Sequence, residues 1–251
     1  MNLLREYIRK LLVEWEPAND KNLMLDQEGM EKSDRENVSR YLKSLGLLES
    51  FHIAPPEMPD RPRTASVFPG DRYNFPDIPY PPIDSLEGEE DLARTIIQYN
   101  NRVVPPQLQE LADLDTDKLF QHFLDGKNLT FNESYYSKLR LDLLSIIKTL
   151  KEYYDRPRPG QVAKYFGIDF TPDNLTTVQS PSYPSGHTIQ AYVVALSLSE
   201  QFPEYSEDLL NIAEMISQSR VDRGVHFQTD IDFGREIAYL IFDEMSDGSF
   251  S

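Results

Sequence analysis

Nine of the chain's 18 prolines fall between Pro55 and Pro82, and the stretch begins and ends with the doublets Pro55-Pro56 and Pro81-Pro82. Proline fixes φ, carries no amide proton and disfavours helical backbone in the residue before it, so this stretch can hold neither a regular helix nor a central strand. It divides the chain. Its aliphatic and aromatic residues (Val67, Phe68, Tyr73, Phe75, Ile78, Tyr80) would serve little purpose in a freely solvated linker and favour a strap laid across a folded body. Residues 1 to about 50 read as two short helices, the second opening with the capping-box pair Ser33 and Glu36 and stopping near Gly46.

Beyond Ser85 the apolar residues recur at helical spacing. Leu139, Leu143, Ile146, Ile147 and Leu150 form one stripe, and Leu209, Ile212, Ala213 and Ile216 form another. The pattern predicts helices near 86–101, 107–124, 132–154, 187–202, 205–219 and 230–246. Strand signals are scarce. The expected fold is all-α: a bundle of about six core helices over residues 85–251, preceded by an N-terminal helical extension (1–50) and a proline-rich strap or linker (51–84).

Composition excludes several functions. A formal charge of −17 argues against nucleic acid as a partner, because phosphate-backbone binding relies on Lys and Arg. Without cysteine there is no disulfide framework, thiolate nucleophile or thiolate zinc site. Leu4, Ile8, Leu11, Leu12 and Trp15 share one helical face near the N-terminus. Arg5, Glu6, Arg9 and Lys10 interrupt the continuous apolar run that a secretory signal needs. No stretch approaches the roughly 20 apolar residues of a membrane span, although the amphipathic N-terminus leaves peripheral membrane contact open.

Three separated clusters collect residue types that handle phosphate. Around Lys151, Arg156 and Arg158 a helix should run out before Pro157 and Pro159, leaving cations at its C-terminal mouth. Ser182-Tyr183-Pro184-Ser185-Gly186-His187-Thr188 leads into an apolar helical run. There the first amides point outward and Gly186 permits close approach of a ligand, while Ser185 reads equally well as a plain N-cap. In Ser219-Arg220 through Asp230, His226 and Asp230 stand four apart. On one helical turn the carboxylate can accept a hydrogen bond from one ring nitrogen and aim the other at a substrate.

Taken together the clusters follow one motif: Lys, six residues, Arg-Pro; Pro-Ser-Gly-His; Ser-Arg, five residues, His, three residues, Asp. In order, residue type and spacing the chain thus resembles the superfamily of type 2 phosphatidic acid phosphatases and vanadium haloperoxidases over roughly residues 85–242. It looks most like the soluble bacterial class A non-specific acid phosphatases. The resemblance implies a metal-independent acid phosphatase in which His226 attacks phosphorus, Asp230 orients it and His187 protonates the leaving oxygen. Lys151, Arg158, Arg220, the Ser185 hydroxyl and the Gly186 amide would bind the phosphoryl oxygens. Arg156 offers a second register for the first cluster, but no lysine stands at the matching distance upstream of it. Arg223 is expected at the substrate rim or as a solvated charge, and His52 and His122 as structural residues.

The implied partner is a small, water-soluble phosphomonoester. No resident cofactor is expected, although vanadate would fit the phosphate site, and the oligomeric state is left open. The family's acid phosphatases are usually exported and its lipid phosphatases carry several spans; this sequence shows neither signal nor span, so a cytoplasmic or otherwise soluble intracellular protein is expected. Three rivals stand beside this reading. They are a vanadium-dependent haloperoxidase, a divalent-metal hydrolase using His187, His226 and Asp230, and a catalytically inactive interaction protein of the same fold whose working part is residues 1–84.

Overall fold

The computed structural model describes residues 75–102, 112–113, 116–175 and 177–246. The readings made for residues 1–74, the two N-terminal helices, the first part of the strap and His52 among them, lie outside the described residues.

Among the described residues seven α-helices follow one another: α1 (Leu86–Asn101), α2 (Thr116–Gly126), α3 (Glu133–Tyr154), α4 (Pro159–Tyr165), α5 (Gly186–Gln201), α6 (Ser206–Asp222) and α7 (Gln228–Ser246). Among the described residues there is no strand. Five of these helices fall where the periodicity predicts them, and α2 covers only the second half of the helix expected over 107–124, of which residues 107–111 and 114–115 lie outside the described residues. The seventh, α4, was not expected, because its apolar pattern is too short to stand out; it starts on Pro159, whose fixed φ and missing amide proton suit a first helical position.

Local chemistry sets the helix ends. The Ser85 hydroxyl accepts from the Gly88 amide and starts α1, and the Asn132 side chain accepts from the Tyr135 amide and starts α3. α3 stops at Asp155, which adopts left-handed backbone and returns its amide to the Lys151 carbonyl. α5 is buried nearly all round, through Ile189, Ala191, Tyr192, Val193, Val194, Ala195 and Leu198, and packs chiefly on α6 and α7. A helix without a polar face belongs at the centre of a bundle, and α5 occupies that place. Tyr192 and Arg235 share Glu214, tying α5, α7 and α6 together by hydrogen bonds.

Residues 75–82 carry no regular secondary structure and lie over an aromatic group. Tyr154, Tyr183 and Phe233 stack and cross there with ring centroids 4.8–5.6 Å apart. Phe75 is buried, the Tyr183 hydroxyl donates to the Ile78 carbonyl, and Tyr80 lies against Tyr183. A second apolar group, Leu92, Ile96, Val162, Ala163 and Phe227, joins α1 and α4 to the segment that enters α7.

Candidate active site

Three chain reversals bring the phosphate-handling clusters together. At the first, α3 ends with Lys151 pointing inward and the chain continues extended through Arg156, Pro157 and Arg158. At the second, Ser185 caps α5, and Gly186 and His187 form its first turn. A Cβ on Gly186 would stand 3.0 Å from Ile147 Cγ2 and 3.7 Å from Lys151 Cε, so glycine here lets α5 seat against α3. At the third, α6 ends and Gly224 takes positive φ (+69°), turning the chain so that the Val225 amide donates to the Arg220 carbonyl just before His226.

His226 and Asp230 are both buried, but they do not share a helical turn: α7 begins at Gln228, so Asp230 stands in its first turn and His226 in the segment just before it. Nδ1 of the histidine lies 2.8 Å from Asp230 Oδ2, and Nε2 lies 3.0 Å from Arg158 Nη1. A carboxylate only accepts and a guanidinium only donates. The ring is therefore fixed as the Nδ1–H tautomer, with its lone pair on Nε2. Burial, then the Arg158 charge, pushes the His226 pKa well below the ordinary value, while Asp230 opposes them, so the ring stays neutral. Asp230 Oδ2 also accepts from the Phe227 amide at 3.0 Å and from the Ser182 hydroxyl, and Oδ1 accepts from Arg156 Nη1 at 2.7 Å. Burial alone would raise this carboxyl, but Arg156 and His226 outweigh it and hold the pKa low.

Lys151 is 6% exposed and donates to the carbonyls of Pro181 (2.5 Å) and Ser182 (3.3 Å). Burial, then Arg158, pushes its pKa well down. Arg158 is held by the Ser180 and Val225 carbonyls at 2.9 and 2.7 Å, and burial lowers its pKa to about 10. His187 Nε2 lies 3.0 Å from the Asp113 carbonyl oxygen, so that nitrogen carries a proton. Its pKa is pushed down to about 3, first by burial and then by Arg220.

Lys151, Arg158, Gly186, His187 and His226 line a common cavity of about 670 Å³. Its outer wall is formed by Arg140, Leu144, Lys148 and Gln190. The other three expected site residues, Asp230, Arg220 and Ser185, are fully buried and do not line it. Arg220 donates to Asp113 through Nη1 and to Thr177 through Nη2, and Asp113 stays ionised because the Arg220 charge overcomes the effect of burial. The Ser185 hydroxyl accepts from the Thr188 amide and hydroxyl, at 3.4 and 2.9 Å, and its amide donates to the Asp230 carbonyl. Of the two readings open for Ser185, the N-cap geometry is the one observed.

Several residues of the arrangement were not singled out in the sequence. Asp113 joins Arg220 to His187, and Ser182 supports Asp230. Arg156, set aside in the sequence as an alternative register, is 1% exposed and bridges Asp230 to Asp91. Asp91 and Asp113 lie outside every motif and had no local signal. Arg223 pairs with Asp173 at 3.0 Å and does not line the cavity. Among the described residues no three His, Asp or Glu side chains are grouped to hold a metal ion, and no helix is long and apolar enough to cross a membrane.

Residues 140–244 match the family model of the PAP2 superfamily. A non-specific acid phosphatase of Salmonella typhimurium is 34% identical over 116 residues, covering 46% of this chain and 42% of that protein. One from Providencia stuartii is 38% identical over 93 residues, covering 36% of each. The chain thus spans about two fifths of the length of these relatives. Among solved structures, a transmembrane PAP2-type phosphatidylglycerolphosphate phosphatase from Bacillus subtilis superposes with a TM-score of 0.44 at 23% identity, over 67% of this chain and 90% of that one.

Proposed function

We propose that the protein, whose residues 140–244 match the family model of the PAP2 superfamily, is a phosphatase that hydrolyses phosphomonoesters through a phosphohistidine on His226. The observation that carries this reading is the fixed tautomer of His226. Its Nε2 lone pair belongs to a cavity also lined by Lys151, Arg158, His187 and the first turn of α5.

In the first step Nε2 attacks phosphorus, the bond to the leaving oxygen breaks, and His187 delivers its proton to that oxygen. His226 keeps its Nδ1 proton and becomes a phosphorylated, positively charged ring opposite the Asp230 carboxylate. In the second step a water molecule attacks the phosphorus, His187 takes its proton, and the P–N bond breaks to release phosphate and restore neutral His226. Lys151, Arg158 and the α5 amides supply the charge stabilisation that phosphoryl transfer chiefly requires. Arg220, seated on Asp113, contributes its field from behind the wall. The dianionic substrate offsets the cations that depress His187 and restores its capacity to act as an acid. No resident cofactor is invoked.

The cavity is of the size that takes a small organic ligand, so a phosphomonoester with a modest leaving group fits better than phosphate alone. A water-soluble ester suits the acidic chain around this cationic pocket, since the surrounding charge repels extended polyanions.

The test is hydrolysis of a chromogenic monoester by wild type and His226→Ala, with chelator and vanadate controls and quenched-flow trapping of phosphoenzyme. Turnover resistant to chelator, inhibited by vanadate and lost in the variant is expected, together with a phosphoenzyme that is labile in acid and stable in base. Turnover that survives in His226→Ala refutes the mechanism. Vanadate-dependent halide oxidation without hydrolysis assigns the site to peroxidase chemistry instead.

A further inference from the structure

The His226–Asp230 pair has a third and fourth member, contributed by parts of the chain outside its own motif. Arg156 Nη1 donates to Asp230 Oδ1 at 2.7 Å and to Thr229 Oγ1 at 2.7 Å, and Nη2 donates to Asp91 Oδ2 at 2.9 Å. The Thr229 hydroxyl donates to the same Asp91 oxygen, closing a ring of hydrogen bonds. The guanidinium carbon lies 3.8 Å from the centre of the Phe227 ring and 4.9 Å from that of Tyr80. Arg156, Asp91 and Asp230 are exposed by 1%, 4% and 0%. This geometry leaves the guanidinium little freedom to point elsewhere.

Building on the phosphohistidine reading, we infer that Asp91 and Arg156 are positioning residues for the nucleophile: Asp91 neutralises and aims the Arg156 guanidinium, so that Arg156 fixes the Asp230 carboxylate without cancelling its charge. The charge count gives the reason. With phosphorus on Nε2 and a proton on Nδ1, the His226 ring carries one positive charge and needs a full carboxylate opposite it. An arginine bound to Asp230 alone would neutralise that carboxylate. With Asp91 present, the two carboxylates balance the guanidinium and the phosphorylated ring. Arg156 also has to grip two acids and a hydroxyl at once, a task for a planar fork of donors that a lysine ammonium cannot reproduce.

The two carboxyls respond differently to the shared cation. Burial pushes the Asp91 pKa up against the pull of Arg156, whereas Arg156 and His226 hold Asp230 low in spite of burial. The other groups facing this ring of contacts are Ser182 and Tyr183 from the loop before α5, Lys151 and Arg158 from the α3 end, and Asp232 on α7. None of them provides a second cation in contact with Asp230 Oδ1.

The test compares Arg156→Gln, Arg156→Lys and Asp91→Asn with wild type and His226→Ala, by steady-state kinetics across pH and by the imidazole ¹⁵N spectrum of His226. Arg156→Gln is expected to lower kcat about 10- to 100-fold, the loss that follows removal of one charge-assisted hydrogen bond to the orienting carboxylate. KM stays within about twofold because the cavity cations are untouched, and Arg156→Lys recovers part of the loss. The acid limb of kcat/KM moves up in Arg156→Gln, where Asp230 loses its cation. It moves down in Asp91→Asn, where the cation loses its counter-charge. A purely structural role would not give opposite shifts.

Asparagine keeps the shape and the acceptor oxygen of Asp91, so that variant decides the matter if Arg156→Gln does not fold. Folded variants with wild-type kcat, acid limb and ¹⁵N spectrum overturn the inference, as does a loss confined to KM. If wild type has no turnover, the phosphohistidine reading fails by itself. The ¹⁵N spectrum still judges the inference: an Nδ1–H tautomer that shifts in Asp91→Asn and Arg156→Gln upholds the positioning, and one indifferent to both refutes it.

Discussion

Replacing Asp230 by asparagine changes one atom and sets the donors around it in conflict. The carboxylate accepts four hydrogen bonds: Oδ1 from Arg156, and Oδ2 from His226 Nδ1, the Phe227 amide and the Ser182 hydroxyl. An amide has one acceptor end. If its oxygen turns to Arg156, its NH₂ group faces the Phe227 amide and His226, and the ring must move its proton to Nε2 and lose the attacking lone pair. If the oxygen turns to His226, the NH₂ group meets a guanidinium, and a charge-assisted bond in a buried site is lost.

Either orientation also removes the negative charge opposite the phosphorylated ring. An aspartate-to-asparagine change behind a catalytic histidine lowers kcat by about 10⁴ where the tautomer is reversed. Loss of the charge alone corresponds to roughly 10², so the expected fall in kcat is between about 10² and 10⁴, or about 2.7 to 5.5 kcal/mol. KM should change little, because Asp230 does not line the cavity. One unsatisfied buried donor further destabilises the fold by about 1–3 kcal/mol. Stopped-time hydrolysis of a chromogenic monoester, with thermal unfolding as a control, reads both numbers. A folded Asp230→Asn protein within tenfold of wild-type kcat would refute the tautomer argument.

Three further outcomes are expected. Both histidines have lowered pKa values, so His226 remains neutral well into the acid range while His187 gains its proton only as pH falls; kcat/KM should therefore peak below the ordinary histidine pKa of about 6.5, as a pH–rate profile will show. The unfolded chain binds protons on these two side chains below about pH 6.5 that the folded chain does not, down to about 3 for His187. Stability should thus fall as pH drops through this window, by up to about 1.4 kcal/mol per pH unit for each histidine, and further once Asp230 would protonate in the unfolded state; thermal melts at pH 7 and pH 5 test the sign. A Gly186→Ala side chain would stand 3.0 Å from Ile147 Cγ2 and push α5 from α3, lowering kcat/KM about 10-fold or more, with partial recovery when Ile147→Ala makes room.

The helices and the clusters at the three reversals were legible because their signals are local. Periodicity places α1, α3, α5, α6 and α7, whereas the helical turn that the spacing of His226 and Asp230 suggested is not formed: α7 begins at Gln228, and the Asp230 carboxylate reaches back to the ring from its first turn. What could not be read is what joins distant segments. Asp91 looks like one more acid in an acidic first half of a helix, and its partner Arg156 is 65 residues away. Asp113 and Arg220 are separated by 107. Arg156 has a local signal, two residues before the motif arginine, yet a charge beside a helix end is ordinary; only the fold shows it buried between two carboxylates. Ser185 shows the opposite limit. The sequence leaves its hydroxyl two roles, and backbone geometry decides which donors reach it.

Residues 75–82 are synthesised long before the surface on which they rest. Tyr154, Tyr183 and Phe233, which meet them or one another there, emerge some 75 to 155 residues later. Residues 75–82 can therefore settle in place only after the segment that carries Tyr183 has been made. Contacts this distant along the chain are slow to form, since their loop-closure entropy must be met before any packing is gained. Tyr80 lies over Arg156, so the same late event completes the surroundings of the guanidinium behind the histidine. Acquisition of activity should thus trail formation of the helices during refolding, with the N-terminal segment of the body among the last parts to settle.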